Sequence, residues 1–114
     1  LAAVGTAKPV IIWQHRPLAE DARWNPFHDV IREYNVVLLL HGDSHQHKRY
    51  RWRGFDVWDG GHNDGRVNSW SGDPSAISVF RVEDGILRGA HYLTAEDRLE
   101  TTYMIEKPLR RTGP

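Results

Sequence analysis

The chain has no cysteine, and that absence excludes disulfides, zinc-thiolate centres and thiol nucleophiles while saying little about compartment. It has no net charge either: fifteen basic residues balance fifteen acidic ones, so the whole chain lacks the electrostatic footprint of a nucleic-acid binder. Long apolar runs are also missing. The longest falls far short of the roughly 20 residues of a membrane helix, and no signal peptide is visible, so the expectation is a soluble domain without a membrane span. Repeats and low-complexity segments are absent too. At 114 residues the chain has room for one domain, which would bury roughly two-thirds of its unfolded surface. It begins with Leu1 and not methionine, which suggests a piece of something longer.

What is present is histidine and tryptophan, seven and five of them. Histidine is the commonest metal ligand and the usual acid or base near neutral pH. The stretch that organises the rest is Val36-Val37-Leu38-Leu39-Leu40-His41-Gly42-Asp43-Ser44-His45-Gln46-His47. Five uninterrupted aliphatic residues suit a strand buried on both faces, and the glycine then hands over to ligand-type side chains at every second position. Residues two apart in an extended segment point the same way, so two or three of Asp43, His45 and His47 could reach one ion.

A second apolar run, Val10-Ile11-Ile12-Trp13, ends at Gln14-His15-Arg16-Pro17. Proline does not continue a central strand, so His15 belongs just past a strand end. Residues 18–24 read as a connection with at most a helical turn. Asn25 as N-cap and Pro26 at the first helical position open a helix whose face is Phe27, Val30, Ile31 and Tyr34, with Asn35 as its stop. Strand, helix and strand, both strands apolar throughout, make a βαβ unit. Its parallel strands end on one edge of the sheet, and His15 therefore meets Asp43 and His45 at the rim where open α/β sheets bind ligands.

Beyond His47, Tyr50 to Trp58 reads as one strand whose broken alternation predicts a β-bulge at Gly54. Residues 59–75 form a long Gly/Asp/Asn loop that includes His62 and Asp64. Asp84-Gly85 between two apolar runs predicts a hairpin. Alternation of Leu99, Thr101, Tyr103 and Ile105 predicts one further strand, and 107–114 reads as a tail after a domain over 1–106. The basic-aromatic run Lys48 to Arg53 reads as a strand with a basic solvent face. His28 and His91 read as structural or exposed, and the tryptophans as core and loop-base residues.

Two segments together resemble a known family. Lys8-Pro9-Val10-Ile11-Ile12-Trp13-Gln14-His15-Arg16-Pro17 resembles the strand and H-x-P segment of the calcineurin-like metallophosphoesterases, and Val37-Leu38-Leu39-Leu40-His41-Gly42-Asp43-Ser44-His45 resembles their G-H-x-H segment, with Asp43 in place of its first histidine. The resemblance runs in order over residues 8–93. It implies an α/β fold, the C-terminal half of a four-layer αββα sandwich with a mixed sheet. It also implies two divalent metal ions (Mn, Fe, Zn or Mg) and a bridging hydroxide that attacks phosphorus. By that similarity His15 and His45 are metal ligands, and Asp43 is a ligand whose harder oxygen favours Mn, Fe or Mg. His41 orients a ligand or packs under the site, while Arg16 and His47 contact a phosphate-ester substrate.

The family's D-x-H, G-D-x-x-D and G-N-H-D/E segments do not precede Lys8. The expectation is a phosphoesterase half that needs its missing N-terminal half, or a partner chain, to complete the site. The alternative is a non-catalytic module for carbohydrate, phosphate or, less readily, nucleic acid, built on the basic-aromatic strand and the Trp-rich loop.

Overall fold

The computed structural model describes residues 1–63 and 65–111, so Asp64 and the end of the expected tail lie outside the described residues. Strand β1 is Val10–Trp13. A 3-10 turn at Ala22–Trp24 runs into helix α1, Asn25–Ile31. Strands β2, β3 and β4 are Val36–His41, His47–Trp52 and Phe55–Gly60, and β5, β6 and β7 are Ala76–Glu83, Ile86–Leu93 and Arg98–Pro108. The first four form a mixed sheet in the order β1-β2-β4-β3, with β1 and β4 both parallel to β2 and β3 antiparallel to β4. The last three form an antiparallel sheet in the order β5-β6-β7.

The all-apolar β2 lies between two cores. Val36 and Leu39 join Ile31, Trp52, Phe55 and Val57 under the helix. Val37 and Leu38 join Trp58, Leu87 and Ile105 between the sheets. Neighbouring residues of a regular strand point to opposite faces, so Val37 and Leu38 share one only because the β1/β2 register slips: Val10 pairs with Val36, but Ile11 pairs with Leu38. Burial of each such side chain contributes roughly 1.5–3 kcal/mol. The slip also turns the Val37 carbonyl inward, where Lys107 Nζ donates to it at 2.7 Å and to Asp56 Oδ2 at 2.6 Å. Both ionic side chains are almost fully buried.

Several expectations are corrected here. Gly54 does not mark a bulge within one strand: Arg53 (φ 48°) and Gly54 (φ 86°) form a two-residue turn between β3 and β4, closed by the pair Trp52 and Phe55. Two positive φ values are what a type I′ hairpin turn requires. The same geometry at Asp84 (φ 53°) and Gly85 (φ 74°) joins β5 to β6 as expected. Asn25 lies inside α1, not at its N-cap. The side-chain cap sits earlier, where Asp21 accepts from the Arg23 N–H. Trp13 and Trp70 are not packed in the core but are 79% and 80% exposed. In β7 only Ile105 and Lys107 are buried, because a register shift opposite Ala90 to Tyr92 takes Leu99 and Tyr103 out of the expected alternation. Strand β7 also continues two residues into the stretch read as a tail.

Three layers are present among the described residues: helix, mixed sheet and antiparallel sheet. Leucine, valine and methionine on the far side of the antiparallel sheet (Leu99, Val79, Met104) remain exposed. Within the interface Gly89 is fixed by contact, since a Cβ there would stand 2.5 Å from the Phe80 ring and 3.0 Å from Ile105.

The buried ion pair makes a testable statement. Lys107→Met should cost about 3–5 kcal/mol in urea unfolding, because it takes the buried ammonium from the Asp56 carboxylate and leaves that carboxylate to the part-exposed Arg49 and Arg51, whereas the double variant Asp56→Leu/Lys107→Met should recover most of that loss. Equal losses in the two proteins would show that the pair does not act as a unit.

Candidate functional site

Strands β1, β2 and β4 end, and β3 begins, on one rim of the mixed sheet, as the parallel pairing requires. Backbone bonds extend the β1/β2 pairing into it: Gln14 N–H donates to Leu40 O at 2.9 Å and Gly42 N–H to His15 O at 3.0 Å. His15 Nε2 lies 3.2 Å from Asp43 Oδ1, so the two residues that sequence separation holds furthest apart do meet. The contact is open to water, with the side chains 78% and 47% exposed, so it adds little to stability and leaves both groups accessible.

His45 turns away from that pair. With φ at 60°, its backbone breaks the extended run that would have aligned 43, 45 and 47. Its ring stacks on Trp70 (centroids 4.9 Å, 13° between planes), and its Nδ1 is 2.8 Å from the Asn68 amide nitrogen. His47 turns inward and is buried, with Nδ1 3.9 Å from Asp73 and Nε2 3.8 Å from Glu100. It still lines a cavity of about 360 Å³ with Gln46, Lys48, Asp73 and Glu100. Arg16 opens on a separate cleft of about 540 Å³ beside Pro17, Arg23 and Trp24.

His41 packs beneath the rim as expected. Tyr50 Oη lies 2.6 Å from its Nε2, and the Gly42 carbonyl 3.0 Å from its Nδ1. If Nδ1 donates to the carbonyl, which can only accept, Nε2 accepts from the phenol. Burial, with the Asp59 carboxylate adding to it, pushes the Tyr50 hydroxyl up to about 12.

The rim's centre was not visible in the sequence. Asp59, fully buried at the tip of β4, accepts a short hydrogen bond from Ser44 Oγ and one from Gly61 N–H at 3.3 Å, and lies 3.9 Å from His41. Burial raises its carboxyl above its ordinary value, against the opposing hydrogen bond from Ser44. Its backbone carbonyl accepts from His91 Nε2 at 2.8 Å, and His91 stacks on Trp58 (4.2 Å, 12°). The only local signal was an aspartate followed by two glycines after an apolar run, which reads equally well as a turn.

The architecture, a mixed α/β sheet packed on an antiparallel one with an open rim at the strand tips, matches that of neighbours with the metallophosphoesterase fold. Two solved structures of Vps29 from Entamoeba histolytica are similar to this chain. A single mutant matches with 12% identity and TM-score 0.51, over 83% of this chain and 50% of its own. The wild-type protein complexed with zinc matches with 13% identity and TM-score 0.52, over 88% of this chain and 55% of its own. The likeness is therefore one of fold, and the chain spans about half the length of these neighbours. No family model and no curated protein matches the chain.

Among the described residues, no three His, Asp or Glu side chains are gathered so as to hold a metal ion. His15 and Asp43 bring two donors together, fewer than the ligand set of either metal in the two-metal centre that the resemblance implies. No helix among the described residues is long and apolar enough to cross a membrane.

Burial holds the His91 imidazole down at about 4, from an ordinary 6.5. Between those values the unfolded chain carries more protons than the folded one. Stability from this group is therefore intact above pH 6.5 and falls as the pH drops towards 4, by about 3 kcal/mol in all. Urea titrations at pH 7 and 4 should show a loss smaller by that amount in His91→Gln than in the parent, whereas identical losses would exclude the effect.

Proposed function

We infer that the chain supplies the substrate-facing rim of a phosphoesterase acting on phosphate mono- or diesters, and that hydrolysis needs donors from outside the described residues. One observation carries the reading: His15 after β1 and Asp43 after β2 converge, exposed, at the rim of a metallophosphoesterase fold. Two side-chain donors are a fragment of a metal centre. The match covers only about half of the neighbours' own length, which leaves room for the remaining ligands in further sequence or in a partner chain.

The nucleic-acid alternative loses support from the same structure. The arginines of β3 are engaged within the fold: Arg49 donates to Met104 O at 2.8 Å, and Arg51 donates to Gly54 O and lies 3.2 Å from Asp56. Cations held this way are poorly placed to track a phosphate backbone.

The 114-residue chain should hydrolyse an aryl phosphate no faster than buffer, with or without Mn²⁺. Extended by its upstream coding sequence, it should gain Mn²⁺-dependent hydrolysis that His15→Ala lowers by about 100-fold or more. An extended His15→Ala protein with undiminished activity would remove His15 from the site.

A further inference from the structure

The loop that carries Trp70 holds His45 by its ring and its backbone. The Asn68 side-chain oxygen accepts two backbone bonds, from Trp70 N–H at 2.8 Å and Ser71 N–H at 3.1 Å. Those bonds fix the amide's orientation, because its nitrogen side cannot accept. The Asn68 NH₂ must then be the group that faces His45 Nδ1 at 2.8 Å. Ser71 Oγ ties down the backbone by donating to His45 O at 2.5 Å, and the Trp70 indole covers one face of the ring.

An amide NH₂ only donates, so Nδ1 must be the acceptor and the neutral ring carries its proton on Nε2. That nitrogen has no hydrogen-bond partner among the described residues. A metal-ligating histidine needs the reverse arrangement: one nitrogen bare towards the ion and the other donating to a carbonyl or carboxylate. Bound through Nε2, His45 would press an Nδ1 proton against the Asn68 amide protons. Bound through Nδ1, it would displace Asn68 and open the loop.

We propose that His45 serves as a neutral Nε2–H donor to an anionic oxygen at the rim, such as an oxygen of a phosphate group, and not as a metal ligand. This rests on the phosphate-ester reading of the rim for the identity of the anion, but not for the tautomer. The structure thus assigns to His45 a role opposite to the one its place in the G-D-x-H segment implies. Asn68 is the residue that decides it, acting on the site through His45.

The test is the ¹⁵N spectrum of the imidazoles in the 114-residue chain. The expected result is a pyrrole-like Nε2 and a pyridine-like Nδ1 for His45, with inorganic phosphate shifting the Nε2 resonance. A ring protonated at Nδ1 instead overturns the proposal, as does Zn²⁺ binding at Nε2 in the parent protein. A parent in which phosphate shifts other rim residues but leaves His45 unmoved also overturns it. Phosphate that shifts no rim residue would instead sink the phosphate-ester reading, and with it the anion named here. Asn68→Asp keeps one oxygen for the two backbone bonds and offers the other to an Nδ1 proton. It should reverse the tautomer and raise Zn²⁺ affinity by about 10- to 100-fold. Unchanged zinc affinity in a variant shown to have the reversed tautomer would exclude Asn68 as the determinant.

Discussion

One buried charge pair bridges the two sheets, and the packing around it has to satisfy both charges. Asp56 and Lys107 come from different sheets and lie in an otherwise apolar layer. Desolvating two charges costs several kcal/mol each, and their attraction repays this only when every remaining bonding site is used. The slipped register of β1 on β2 supplies the missing acceptor, the Val37 carbonyl, and Arg49 and Arg51 approach Asp56 from β3. The basic strand that looks in the sequence like a surface for polyanions is thus partly the counter-charge of an internal aspartate.

The rim is buried at its base and exposed at its lip. At the base, β4 is buried along almost its whole length, and Asp59, its last residue but one, binds Ser44 and, through its backbone, His91. At the lip, His15, Asp43 and Trp70 are exposed.

Much of the framework was legible because it follows from local rules. Apolar runs of four and five residues gave β1 and β2, Asn25-Pro26 gave the start of the helix to within one residue although it ends at Ile31 and not at the expected Asn35 stop, and Asp84-Gly85 gave a hairpin. Failures came where tertiary contact overrode periodicity. Arg53-Gly54 does not announce a turn, because its residue of positive φ is an arginine where asparagine or aspartate is the usual signal. His15 and Asp43 were placed together correctly because parallel strands share a rim, a topological fact. The expected convergence of His45 assumed extended backbone through 43–47, and Asp43 and His45 instead have φ of 69° and 60°. Asp59 and Asn68 were missed because what they do depends on partners 15 and 23 residues away, which no local pattern encodes.

The two tight turns have a consequence for how the chain reaches this structure. Arg53-Gly54 and Asp84-Gly85 each close a hairpin whose pairings are local, and such hairpins form in roughly 1–10 μs. Parallel pairing of β1 with β2 and of β2 with β4 closes longer loops, so its entropic cost falls due later. The rim at the tips of the parallel strands is then the last part of the sheet to assemble. Until it does, the apolar residues of β2 lack their partners on both faces, and unpaired apolar strands of this kind are open to association with other chains.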